Sequence, residues 1–415
     1  MARTDAIVLG AGIVGTSTAL QLARRGLGVA LVDRRAPGEE TSYGNAGIIE
    51  GNTIFPPAFP ASLSRLLRVA LKRAPEANYH LCHLPRAAPW LLAFWAASRP
   101  HRLLETARII RPLFSRALGE HEALLAAAGA AGYLRREGWL KLYRSDAAVA
   151  AIGRELDLAQ EFGIACRRLD PDGARALEPD LAPVFRHAVH WPGAASVSNP
   201  LAVTKAYAAH LARLGGVVLT GNARSLHRAD GRWRIDTAEG PIDASEVVLA
   251  LGPFAPGALD PLGIRLPLGI KRGYHLHFRT AGSAALTRPV VDVENGYCVA
   301  PMEQGMRLTT GAEFAACGAP PTPVQLDRVL PPARALFALA EPVEATPWMG
   351  CRPCFADSRP VIGRAPGHAG LWLAYGHGHW GLTLGPATGR LLAEMMTGET
   401  PFCDPAPYGA ERFKR

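Results

Sequence analysis

Three glycines and one carboxylate, Gly10, Gly12, Gly15 and Asp33, have the residue types and spacing of a phosphate-binding device. They lie in AIVLGAGIVGTSTALQLARRGLGVALVDRR, residues 6–35, where the apolar run Ala6 to Leu9 leads into Gly10-Ala11-Gly12-Ile13-Val14-Gly15. Read as strand, turn and helix, Gly10 allows the tight turn and Gly12 lets the backbone approach a pyrophosphate, while Gly15 lets the helix pack close to the sheet. The free amides and positive end of that helix then face the phosphates. Asp33 ends the second apolar run, Val29 to Val32, where its carboxylate can accept hydrogen bonds from ribose hydroxyls. A lone glycine pattern arises by chance, but here strand, helix, second strand and terminal acid agree. The chain is expected to hold a dinucleotide.

A second glycine-rich strand–turn–helix, Leu371 to Met395, closes the chain. Gly376, Gly378 and Gly381 would let backbone amides approach a flat ring, with a helix beginning near Thr383. A helix N-terminus aimed at the pyrimidine end of a flavin stabilises negative charge on the reduced ring, which favours a flavin over a nicotinamide. The plainer alternative is that these glycines only turn strand into helix. Cys351 and Cys354 form a CxxC without a second CxxC to complete a zinc site, so they read as unpaired pocket or core thiols and no metal is expected. His275 and His277 alternate with Leu276 on a strand and read as structural.

The elements that must position these residues follow from patterning. A length of 415 residues suggests two domains, and 48% hydrophobic content suits a globular chain. No apolar run reaches about 18 residues, so no membrane span is expected. The N-terminus enters the first strand at once, leaving no room for a signal peptide, and seven scattered cysteines suit reduced thiols in a cytoplasmic setting. The net charge of +9 has two readings, an arginine-rich composition or attraction to an anionic membrane; no nucleic-acid motif accompanies it. From His101 to Ala131 the apolar spacing is helical, and "NPLAVTKAYAAHLARLGGVVL" reads as an N-capped helix entering a strand. From Arg265 to Gly311 short apolar strands alternate with turns, suggesting a mostly antiparallel sheet. The expected class is α/β: a Rossmann-like nucleotide-binding domain (1–55, 196–262 and 345–415) interleaved with a mixed or antiparallel α+β substrate domain (56–195 and 263–344).

The opening motif, "ETSYGNAGII", "VVLALGPFA", "GCRPCFADSRPVIG" and "AYGHGHWGLTLGPATGRLLAEMM" occur in this order. Together they resemble the flavin-dependent D-amino acid oxidase superfamily, and within it the bacterial D-amino acid dehydrogenases, including those acting on D-proline and D-hydroxyproline. The resemblance covers nearly the full length, with residues 55–135 and 310–345 carrying little of it. It implies non-covalent FAD. It places Gly10, Gly12, Ile13, Val14 and Gly15 at the pyrophosphate and Asp33, with Arg34 beside it, at the adenosine ribose. Thr41, Ser42, Asn45, Ala46 and Gly47 match the loop along the ribityl chain and ring, Ala223 the adenine contact, and Gly252 the turn beside the cofactor. Gly378, His379, Trp380, Gly381, Leu382 and Thr383 match the segment facing the flavin.

For substrate, the resemblance singles out Arg352, followed by Pro353, because guanidinium grips a planar carboxylate through two parallel hydrogen bonds. An ion pair with Asp357 or another acid is the alternative role. Tyr274 and Tyr297 stand as pocket-lining candidates against an equal claim as packed sheet residues, and His379 as a residue that narrows the pocket. No side chain is expected to break bonds: hydride passes from Cα to flavin N5, leaving an imino acid that water hydrolyses. The implied partners are an amino acid substrate and a quinone or other electron acceptor. Between Ser62 and Arg102, "RLLRVALKR", Trp90 and Trp95 read either as a helix resting on the inner face of an anionic membrane or as helices packed on the substrate domain or a partner subunit. A flavin oxidase of sarcosine, glycine or an L-amino acid, and a non-catalytic flavoprotein subunit, are the competing functions.

Overall fold

The parity of the first apolar run sets the first layers. The computed structural model, which describes residues 2–51, 56–60, 62–150 and 152–413, places Ala2–Leu9 as a central strand. Ala6 and Val8 enter one buried cluster and Ile7 and Leu9 another, as alternation across a strand requires. This strand lies between Val29–Asp33 and Gly240–Leu249, all parallel, with Val217–Thr220 outside the first and Leu371–Tyr375 pairing alongside the second. Covered on both faces, such strands are apolar throughout rather than alternating.

The first helix, Ile13–Ala23, packs on the last, Gly381–Thr397, where Gly385 and Gly389 bring backbone against Ile13, Ser17 and Thr18. The long helix Pro100–Ala128 adds Ile110, Leu113, Phe114 and Leu124 to the same core. The sequence boundaries assign this helix to the substrate part, yet its apolar stripe is buried against the nucleotide-binding helices. Within it, His121 donates from Nε2 to the Leu382 carbonyl (2.7 Å) and receives the Tyr207 hydroxyl at Nδ1 (3.1 Å), which fixes a neutral tautomer.

The second, 11-stranded sheet is built around Gly269–Thr280, which pairs antiparallel with Gly305–Thr309 and with Trp348–Cys354. The boundary expected at 345 gives Trp348–Cys354 to the nucleotide-binding part; its ladder belongs to this sheet. Gly269–Thr280 also brings two distant cysteines together. Cys351, expected as a free thiol, is disulfide-bonded to Cys317, 34 residues away, while Cys354 remains free and buried. The sheet creates that proximity, and sequence spacing does not display it.

Burial makes this fold acid-sensitive. Desolvation holds His121 down to about 4, His275 to about 2 and His377 to about 3, against an ordinary value of 6.5. Below pH 6.5 the unfolded chain binds protons at these sites that the folded chain does not, so stability falls as pH drops from 6.5 towards 4. Melting temperature should be level near pH 7–8 and decline through that window. His121→Gln, which keeps a donor near Leu382, should reduce the slope in a pH series of thermal melts.

Candidate active site

The glycine turn is built as the spacing demands. Gly10 sits at φ +105°, and a Cβ there would meet the Ala250 carbonyl oxygen at 2.5 Å. A Cβ on Gly15 would collide with the Gly10 carbonyl. Gly12 differs: its φ of −69° suits any residue, and a Cβ would meet only the Ser42 hydroxyl at 3.3 Å. Close approach by a ligand accounts for this glycine, where backbone strain does not. Asp33 braces the turn, accepting the Ala11 amide at Oδ2 (2.7 Å) and the Arg35 amide at Oδ1 (3.2 Å). Ser42 accepts the Ile13 amide at the helix start (2.9 Å). Arg34 pairs with Glu40 (2.6 Å) and covers the Phe254 ring, so its charge is met within the chain.

From this turn runs one cavity of about 1110 Å³, larger than the roughly 300–1,000 Å³ of most small-molecule pockets. Gly10, Gly12, Ile13, Val14 and Asp33 line it, as do Ala223 and Gly252, Thr41, Ser42 and Gly44 to Ala46, and Gly376 to Leu382. The last two segments are bonded to each other. Asn45 donates from Nδ2 to the His379 carbonyl (3.1 Å), and Thr383 donates to the Ile48 carbonyl (3.0 Å). Arg307, buried, donates to the Tyr43 (2.7 Å) and Asn45 (2.6 Å) carbonyls and to His277 Nε2 (3.0 Å). His277, neutral because its Nε2 accepts from Arg307, donates from Nδ1 to Glu344, so a hydrogen-bond relay holds the loop from behind. The closing helix begins at Gly381, two residues before the position expected from sequence. Trp380, which also borders the cavity, packs its ring edge-on against Phe114 in the core.

Arg352 lines the same cavity. Its Nη1 donates to the Gly311 carbonyl (2.7 Å) and Nη2 to that of Thr310 (3.2 Å), which aims the planar group and leaves further N–H groups free. A Cβ at Gly273 would strike this guanidinium, so glycine is what makes room for it. No carboxylate among the described residues pairs with it: Asp357, the alternative partner, binds Arg359 (3.0 Å) and Arg412 (2.9 Å) instead. Burial lowers the Arg352 pKa, although a guanidinium stays charged. His379 is exposed to the cavity; desolvation, then the charges of Arg352 and Lys271, keep its imidazole below its ordinary range.

The two tyrosines are placed otherwise than expected for substrate contacts. Tyr274 donates its hydroxyl to Glu313 (2.6 Å) and accepts the Thr322 amide (2.9 Å), while Tyr297 donates to the Pro332 carbonyl (3.1 Å). Their walls border the cavity but their hydroxyls are spent in the sheet core. Strand alternation explains it for Tyr274, which points away from the face that carries Gly273. Sequence reasoning missed Lys271, Trp348 and the Lys141–Glu155 ion pair (2.6 Å), which also line the cavity. For Lys271 the signal was its parity with Gly273; for Trp348 there was none short of the strand pairing.

The family model DAO, FAD dependent oxidoreductase, matches residues 5–395. A D-amino acid dehydrogenase of Cereibacter sphaeroides is 32% identical, covering 98% of this chain and 95% of that protein. A D-amino-acid oxidase of Bradyrhizobium diazoefficiens is 28% identical, with 98% of each covered. The glycine oxidase structure from Geobacillus kaustophilus superposes with a TM-score of 0.78 over the whole of both chains at 22% identity, a likeness of fold. The cofactor is therefore FAD, and the open cradle at Gly12 and the volume of the cavity fit it.

Gly12→Ala should fold with unchanged melting of the apoprotein yet bind FAD at least tenfold more weakly, as read by fluorescence titration of deflavinated enzyme. Gly15→Ala should instead destabilise the apoprotein itself, because its collision is with backbone. Equal FAD affinity for Gly12→Ala would place the pyrophosphate elsewhere.

Proposed function

We propose that this chain, which belongs to the DAO family of FAD dependent oxidoreductases, oxidises D-amino acids at Cα and hands the electrons to a quinone or another acceptor. One observation carries the reading: the cavity lined by the glycine turn is also lined by an arginine with no carboxylate partner among the described residues. An amino acid supplies that carboxylate. The curated relatives named D-amino acid dehydrogenase support the choice of substrate class over other amines.

When bound, FAD supplies the two-electron acceptor. The residues of the chain do the positioning. Arg352, fixed by the Thr310 and Gly311 carbonyls, holds the carboxylate and so sets where Cα lies. His379, neutral beside two cations, adds no charge to repel the substrate ammonium. That ammonium sheds its proton to water before the Cα–H bond breaks, and water then hydrolyses the imino acid to 2-oxo acid and ammonia.

The acceptor side has its own support. No helix among the described residues is long and apolar enough to cross a membrane. The helix Leu63–Ala70 nevertheless exposes Leu63 and Leu67, continued by Leu71, at 72%, 54% and 62%, flanked by Arg65, Arg68, Lys72 and Arg73. A stripe at this spacing with basic neighbours suits a surface rich in anionic lipid, where quinone is available. The protein should co-sediment with phosphatidylglycerol vesicles, not phosphatidylcholine vesicles, and be released by high salt.

Anaerobic mixing of holoenzyme with D- and L-amino acids, D-proline, sarcosine and glycine tests the substrate class. D-amino acids should bleach the flavin band, with slow recovery in air. Bleaching by L-amino acids or glycine alone would overturn the reading, and fast recovery would make the enzyme an oxidase. Arg352→Ala should lose about 2–5 kcal/mol in kcat/KM, as truncating one side of a desolvated charge pair does.

A further inference from the structure

Arg352 is not the only cation lining the cavity. Lys271 is its register partner across the antiparallel pair Gly269–Thr280 and Trp348–Cys354. Directly opposed residues project to the same face with Cβ atoms about 4.5–5.5 Å apart, and like charges placed so repel. Both side chains line the cavity. No acid among the described residues relieves the repulsion. Cys354 is a titratable neighbour of both, and no carboxylate among the described residues forms an ion pair with either. The acids elsewhere along the cavity are committed: Asp33 to the Ala11 and Arg35 amides, Glu40 to Arg34, Glu76 to Arg65, and Glu155 with Glu50 to Lys141. No residue outside the described set is Asp or Glu.

The Lys271 ammonium is held rather than neutralised. It lies 4.2 Å from the Phe94 ring centre, 5.1 Å from Trp90 and 6.0 Å from Phe314. Trp90 is itself fixed, donating from Nε1 to the Cys354 carbonyl (3.0 Å) and filling the space that glycine leaves at Gly269. Aromatic faces attract a cation without cancelling its charge, and an enclosed charge without a counter-ion is otherwise costly. Two positioned cations in one cavity ask for two anionic groups.

We infer that Lys271 and Arg352 together select an amino acid with two carboxylates, Arg352 taking the α-carboxylate and Lys271 the one on a short side chain. This rests on the D-amino acid reading and narrows it. An apolar side chain would leave Lys271 unpaired, so a site of this kind rejects it by more than lost contact area.

The test separates the inference from the reading beneath it. Holoenzyme is titrated with glutarate and with butyrate, following the perturbation of the flavin absorbance, and kcat/KM is measured for D-glutamate against D-glutamine and D-aspartate against D-asparagine. Glutarate should bind at least tenfold more tightly than butyrate, and each acid should exceed its amide by at least tenfold. Lys271→Met should bring both ratios near one, and Lys271→Arg should restore them in part. Glutarate binding no tighter than butyrate, or acid-to-amide ratios unmoved in Lys271→Met, would overturn the inference while D-amino acid turnover still stood. If no D-amino acid bleaches the flavin, the underlying reading fails, and the glutarate titration alone still decides whether two carboxylates are bound. Should Lys271→Met not fold, the wild-type ratios decide.

Discussion

The backbone carbonyls of the strand Trp348–Cys354 hold three separate parts of the molecule. Thr41 donates to Cys351 (2.9 Å), the Gly378 amide to Pro353 (2.7 Å), and the Trp90 indole to Cys354 (3.0 Å). These tie the cofactor loop, the C-terminal glycine segment and the aromatic cage to the strand that bears Arg352. A short bridge, Cys354 to His377, extends the contact. The Gly378 bond is main chain at both ends and depends on main-chain path and not on side-chain identity, so the spacing between substrate arginine and flavin segment is fixed by the fold, while Thr41 and Trp90 add side-chain donors to the same strand. A shift of this strand would misplace carboxylate, cofactor loop and second cation together, and small errors of position are costly in catalysis.

Alternation along the neighbouring strand then sorts its charges by role. Arg272 points into the sheet, fully buried, and meets Glu313 at 2.5 Å with further bonds to the carbonyls of Ala319 (2.6 Å) and Pro320 (3.0 Å). Lys271, one residue earlier, points to the cavity and meets no acid. The first is a satisfied structural pair, in which removing one partner would leave an uncompensated charge. The second is left with a requirement that only a ligand can meet. The same geometry that spends the Tyr274 hydroxyl on Glu313 leaves Gly273 beside the Arg352 guanidinium.

The nucleotide end depends on contacts between the extremes of the chain. The first helix packs on the last through backbone at Gly385 and Gly389, and the central strands pair Val247 to Leu249 with Leu371 to Leu373. Contacts at such sequence separation form only after long loops close, which slows folding and leaves the cofactor site incomplete until the C-terminus docks.

The sequence alone determined the glycine turn, its helix and Asp33, because each is a local matter of φ, close approach and a period of 2 or 3.6 residues. The antiparallel character of 265–311 was legible in the same way, and the family resemblance put Arg352 forward as the carboxylate ligand. What lay beyond it were pairings. That Asp357 binds Arg359 and Arg412, that Cys351 meets Cys317, and that the helix Pro100–Ala128 packs in the nucleotide core are long-range facts with no periodic signal. Tyr274 and Tyr297 illustrate the limit: the residue type suits a pocket, but the partner of the hydroxyl decides its use, and Glu313 and Pro332 are named only by the sheet. Lys271 is the converse. Its type and parity were in plain view, but register alone sets it against Arg352 and makes it part of the site, because the charge of a lysine acquires meaning from what stands opposite it.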